Sequence, residues 1–180
     1  GTPWPLPSVH GEPQEGVYAI TIDRPESRNP LNETVLAELP EHLEAARNDS
    51  TVHAITIEGA GLKAFVAGAD LVFFRKHSTP EGLPAIKAYA RRWQDLLHQK
   101  IELANTPVCA RLNGDVLGGG VELALAAGIR VVAPPVEELP PRTTIGMPEV
   151  KEVGIVPGLG ATYRLAREIG EALGDRPLGV

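Results

Sequence analysis

The chain has 180 residues, 43% hydrophobic and 22% charged, the size and balance of one ordinary folded domain. A net charge of −6 and a pI near 5.4 exclude a nucleic-acid binder that works by neutralising phosphates, and one cysteine, Cys109, excludes an intrachain disulfide framework or a multi-cysteine zinc site. The 19 glycines and 17 prolines exceed an average share of about 12% without reaching the ~25–30% of low-complexity chains. They therefore do local backbone work in a folded domain.

In chain order, residues 1–15 are Pro-rich and polar and read as a loose arm. No uninterrupted apolar run approaches the ~18 residues that span a bilayer. Gly1-Thr2-Pro3-Trp4-Pro5 lacks the basic and apolar regions of a secretory leader, so the expected location is cytoplasmic. On that ground the Asn-x-Ser/Thr triplets at Asn32 and Asn48 are read as chance.

Val17 to Ile22 alternates like a strand and is stopped by Asp23-Arg24-Pro25. Asn32 caps a helix to about Asn48 with Val35, Leu36, Leu39, Leu43 and Ala46 on one face, and Pro40 is expected to kink or divide it. Strands follow at Val52 to Ile57 and at Ala64-Phe65-Val66. Residues 80–104 carry the longest helical pattern, then Val108 to Leu112 reads as a buried strand. Gly118-Gly119-Gly120 leads into an apolar helix from Val121 to Ala127. Ile129 to Ala133 is a strand, Pro134 to Thr143 a loop, Thr144 to Met147 a short strand, and Ala161 to Ile169 a helix. Alternating strands and helices predict an α/β layered fold.

The glycine clusters are not nucleotide signatures. Gly59-Ala60-Gly61-Leu62-Lys63-Ala64 lacks P-loop spacing, and Gly118 to Gly120 is no Gly-x-Gly-x-x-Gly fingerprint. Ala67-Gly68-Ala69-Asp70 leaves a strand, and Gly119-Gly120 starts a helix whose first N–H groups lack internal partners. Two such groups aimed at one point make an oxyanion hole. The plainer reading is that these glycines only permit tight turns. Glu122 favours the first, because an isolated carboxylate in an apolar helix needs a partner or a raised pKa, as acid–base catalysts have. Glu149 is a second isolated acid before a glycine turn, and two placed carboxylates can divide the roles of base and acid. No metal site is expected.

Four segments, in order, resemble the crotonase (enoyl-CoA hydratase/isomerase) superfamily: Asp23 to Asn32, Lys63 to Leu71, Leu112 to Leu125, and Met147 to Thr162. The resemblance covers about residues 16–170 and implies a spiral of β-β-α units binding an acyl-coenzyme A thioester. It assigns the Ala69 and Gly119 N–H groups to the oxyanion hole, Glu122 and Glu149 to catalysis, and Ser27, Arg28, Ala67, Gly68, Asp70 and Leu71 to substrate contact. The implied reaction is hydration of a 2-enoyl-CoA to a 3-hydroxyacyl-CoA, with no cofactor beyond the coenzyme A carried by the substrate. The alternatives are a Δ3,Δ2-enoyl-CoA isomerase, an acyl-CoA hydrolase, or a non-catalytic acyl-CoA-binding module.

The sequence also departs from the family pattern. The stretch from Glu149 to Pro157-Gly158 is one residue longer, which makes Glu152 the alternative second acid, and Asp115 replaces a usually uncharged residue. Family members continue with helices that complete the acyl pocket and build homotrimers, and these are expected to be lacking from this stretch, so residues 16–180 read as the catalytic core, whether as a fragment, a domain of a larger chain or a minimal form.

Overall fold

Period-two alternation sets the central strands. In β2 (Val17–Ile22), Tyr18, Ile20 and Ile22 are buried while Val17, Ala19 and Thr21 are not, and β3 (Ala54–Gly59) repeats the pattern with Ile55 and Ile57. The structure, a computed structural model, describes residues 7–69, 71–132, 143–152 and 156–173. Its five-stranded sheet has the order β1-β2-β3-β5-β7, with β1 (Val9–Gln14), β5 (Val108–Leu112) and β7 (Ile129–Val132). Only the β1–β2 pair is antiparallel. A second, parallel sheet has the order β4-β6-β8, from Ala64–Ala67, Asp115–Leu117 and Ile145–Gly146.

Each turn of the chain adds one strand to each sheet and then a helix. β3 and β4 precede α2 (Leu71–His77) and α3 (Leu83–Asp95). β5 and β6 precede α4 (Gly119–Ala126), and β7 and β8 precede α5 (Pro148–Glu152) and α6 (Ala161–Leu173). This is the expected β-β-α spiral. It carries the ends of β4 and β6 side by side, which brings Ala67-Gly68-Ala69 to the start of α4.

Several elements differ from the sequence reading. Residues 9–14 are not a loose arm but an edge strand, where Pro13 is tolerated because an edge leaves some N–H positions unpaired. Pro40 does not divide α1 (Glu33–Asn48), which runs through it. The Asn32 side chain caps the helix by accepting the Val35 N–H at 2.8 Å, and burial of five apolar residues offsets the bond that Pro40 cannot donate. The 80–104 helix starts at Leu83 and changes to a π-helical run, Leu96–Glu102, that buries Leu96, Leu97 and Ile101. The helix α2 and the short strand β6 were not expected, and α4 begins at Gly119 rather than Val121. Ala133 and the 134–142 loop lie outside the described residues.

Two asparagines tie the loops beneath the site. Asn29, fully buried, donates to the Ala60 and Ala64 carbonyls at 3.0 and 2.9 Å and accepts the Arg24 N–H at 2.9 Å. Asn113 donates to Gly59 and Gly61 and accepts the Gly59 N–H at 3.2 Å.

Candidate active site

The site forms where α4 begins. Gly118 has φ +51°, donates its N–H to the Gly146 carbonyl at 2.9 Å, and turns the chain from β6 into the helix. Gly119 is the first helical residue, so its N–H has no acceptor within the helix. A Cβ on Gly119 would lie 3.6 Å from the Ala69 nitrogen, so the two backbones adjoin. A Cβ on Gly120 would lie 2.1 Å from the Val66 carbonyl oxygen, and only glycine lets α4 sit this close to β4.

The segment after β4 is fixed from two sides. The Ala67 N–H donates to Arg28 at 2.9 Å and the Gly68 N–H to Leu117 at 2.8 Å. The Leu31 N–H donates to the Gly68 carbonyl at 3.1 Å, and Leu31 bridges in parallel to Ala69. Among the described residues nothing accepts the Ala69 N–H.

Glu122 lies one turn into α4 and is 3% exposed. Its Oε1 accepts the Leu159 N–H at 2.6 Å and the Ala161 N–H at 3.1 Å. Burial pushes its carboxyl above the usual carboxylate range. The two N–H groups and the Arg164 charge oppose that shift, and the Glu149 charge adds to it. Glu149, in the first turn of α5, is half-buried, and its carboxylate oxygens lie 3.1 and 3.3 Å from where a Gly118 Cβ would be. One buried acid and one half-buried acid, each feeling the other's charge, thus stand near the Gly118-Gly119 corner.

The other candidates divide. Ser27 and Arg28 sit on an exposed turn beside Ala67 and Gly68, so these four are brought together. The Ser27 hydroxyl donates to Glu26 at 3.3 Å. Arg28 pairs with Asp115 at 3.3 Å, with its side chain 56% exposed. Asp70 lies outside the described residues. Leu71 opens α2 and Glu152 ends α5, and for neither is the side chain among the described parts.

Sequence reasoning missed Arg164 and Glu102. An arginine in an amphipathic helix reads as surface, and nothing local marks a partner 62 residues away. A cleft of about 670 Å³ lies elsewhere, on the outer face of the large sheet among His10, Thr21, Thr56, Glu58 and Arg111, and none of the candidate site residues lines it. Among the described residues no group of three or more His, Cys, Asp or Glu is placed to hold a metal ion, and no helix is long and apolar enough to cross a membrane.

A β-β-α spiral that sets two acids around a glycine-opened helix defines a class of protein. The sequence profile of the family described as "Enoyl-CoA hydratase/isomerase" matches residues 12–177, and the chain belongs to that family. It is 37% identical over 168 residues to the short-chain-enoyl-CoA hydratase of Clostridium acetobutylicum, covering 92% of this chain and 58% of that protein. It is 35% identical over 167 residues to the crotonyl-CoA hydratase of Syntrophomonas wolfei, covering 93% of this chain and 59% of that one. The crystal structure of enoyl-CoA hydratase from Bacillus anthracis superposes with a TM-score of 0.77 at 30% identity, over 91% of this chain and 58% of that chain. The chain therefore spans a little under three-fifths of the length of these relatives.

Proposed function

We propose that the protein adds water across the double bond of a 2-enoyl-CoA to give a 3-hydroxyacyl-CoA. The observation that carries this reading is a buried carboxylate, Glu122, that feels the charge of a second, Glu149, whose oxygens lie beside Gly118, next to the place where the Gly119 and Ala69 backbones adjoin. The thioester oxygen accepts hydrogen bonds from the Ala69 and Gly119 N–H groups, and water sits between the two acids, one ionised and one protonated. The water oxygen bonds to C3 while one carboxylate takes its proton, and the C2–C3 π pair moves toward the thioester oxygen as enolate. The other acid delivers a proton to C2, and the carbonyl re-forms. Donors aimed at the oxygen that gains charge are commonly the largest contribution to such a rate.

Substrate contact is assigned to Ser27, Arg28, Ala67, Gly68, Asp70 and Leu71. Arg28 supports this, because its guanidinium is more than half exposed and holds one carboxylate, leaving donors for a coenzyme A phosphate.

The test is hydration of crotonyl-CoA, followed by loss of the enoyl-thioester absorbance and by product mass. A product heavier by one water supports the reading. An isomer of unchanged mass, release of free coenzyme A, or tight binding without turnover each overturns it in favour of isomerase, hydrolase or binding module.

A further inference from the structure

Glu122 is held by another element rather than by its own helix. Both N–H groups that meet its Oε1, from Leu159 and Ala161, belong to the turn that leads into α6. That turn folds onto one side chain. Arg164 Nη1 donates to the Leu159 carbonyl at 2.7 Å, and the Arg164 N–H donates to the Gly160 carbonyl at 3.0 Å. Gly160 has φ +103°, and a Cβ there would lie 2.6 Å from Arg164 Nη1.

Arg164 is 3% exposed, on a helix that turns Tyr163, Leu165 and Ile169 to solvent. A buried guanidinium requires a counter-charge. Glu102, at the end of the π-helical run, supplies it, accepting from Nε at 3.1 Å and pairing with Nη2 at 3.0 Å. The same carboxylate takes Arg167 and, at 3.1 Å, His98. A buried ion pair is a poor stabiliser compared with well-packed apolar residues, so stability alone does not account for one here. What it does supply is a planar fork with one arm on the turn and two on a fixed anion.

We propose that Arg164, clamped by Glu102, is a positioning residue for hydration: it sets the Leu159–Ala161 turn so that two N–H groups fix Oε1 of Glu122 and leave Oε2 for the reacting water. This rests on the role of Glu122 argued above. Among the described residues, the titratable groups that face Glu122 are Arg164 and Glu149, and those that face Glu102 are His98, Arg164 and Arg167. When the turn loosens, the Glu122 carboxylate loses two donors and protonates more readily. The acid limb of the kcat–pH profile then moves to higher pH.

The experiment compares wild type with Arg164→Met, Arg164→Lys and Glu102→Gln by kcat–pH profiles on crotonyl-CoA and by amide hydrogen exchange at Leu159 and Ala161. Arg164→Met is expected to lower kcat about 10- to 100-fold, with KM within about threefold. Its acid limb moves upward, and both amides exchange faster. Arg164→Lys keeps the charge but not the fork, and is expected to recover little of the rate. Full recovery in Arg164→Lys, or a fall in kcat with the acid limb unmoved, overturns the proposal. If Arg164→Met does not fold, Glu102→Gln carries the same readouts, and wild-type rate, limb and exchange in that variant overturn it. Exchange reads the turn without turnover. No hydration by wild type, with exchange still responding to Arg164, removes the hydratase reading alone, whereas unchanged exchange removes the positioning role.

Discussion

The Leu159 N–H donates to Oε1 of Glu122 at 2.6 Å, joining the turn before α6 to α4 across 37 residues of chain. One carboxylate oxygen is thereby committed to the backbone, with the Ala161 N–H on the same atom. The other oxygen is left for the water of the proposed hydration.

Glu122→Gln keeps an acceptor for those two N–H groups and removes the charge. The expected loss in kcat is about 100- to 10,000-fold, the usual worth of a placed acid–base group. Stability should move the other way. Burial raises the folded-state pKa above its ordinary 4.5, so ionisation works against folding as pH rises past that value. The variant is expected to match or exceed the wild-type thermal midpoint at pH 7, with any gain vanishing in acid. A lower midpoint at pH 7 contradicts this account.

Gly118, Gly119 and Gly120 should respond differently to alanine. Gly118→Ala forces a side chain into φ +51° and sets a methyl 3.1 Å from Glu149 Oε2, costing about 1–3 kcal/mol and lowering kcat. Gly119→Ala meets only the tip of Leu31 at 3.2 Å, so stability should stay within about 1 kcal/mol of wild type. Its methyl would stand 3.6 Å from the Ala69 nitrogen, in the space the thioester oxygen is proposed to enter, and kcat should fall about tenfold or more. Gly120→Ala drives a methyl into the Val66 carbonyl and is expected to cost about 3 kcal/mol. Urea denaturation ranks the three, and equal midpoints would refute the assignment.

The nearness of Glu122, Glu149 and the glycine corner was legible because its signals are local: a lone acid in an apolar helix, small residues where a helix begins. The alternation of β2 and β3 and the apolar face of α1 were legible for the same reason. β1 was not, because an edge strand has one solvated face and tolerates proline, so its sequence reads as loop. Arg164 was not, because its burial is set by Glu102, and no window of sequence holds both. The unbroken α1 shows tertiary burial overriding a local rule at Pro40.

Acid sensitivity should centre on Glu102. Burial alone would raise its pKa. Hydrogen bonds from His98 and Arg167 and the Arg164 charge outweigh that and hold the carboxyl below its ordinary 4.5. Its contribution is thus present above the ordinary value and lost as pH falls through the lowered one. Glu102→Gln is expected to be about 2 kcal/mol less stable at pH 7. The two denaturation curves should converge in acid, and a constant difference down to low pH would assign the loss to shape instead.

Asn29 is the strongest test of how the Ser27-Arg28 turn is held. Its amide makes both donations and the one acceptance described above, at φ +54°, a conformation that asparagine tolerates better than most residues. Removing it frees the turn at Arg28 from the loop at Ala60 and the strand at Ala64. Asn29→Ala leaves one buried and two part-buried backbone groups short of partners and is expected to cost about 3 kcal/mol. Asn29→Asp keeps the size but replaces two donors with a carboxylate facing two carbonyls, so it should be worse than alanine at pH 7 and improve as pH falls and the group protonates. Because the Arg28 carbonyl accepts the Ala67 N–H, the loosened turn should raise KM for the acyl-CoA more than it lowers kcat. An aspartate variant as stable as wild type at pH 7 would show that the amide is not what holds the two loops together.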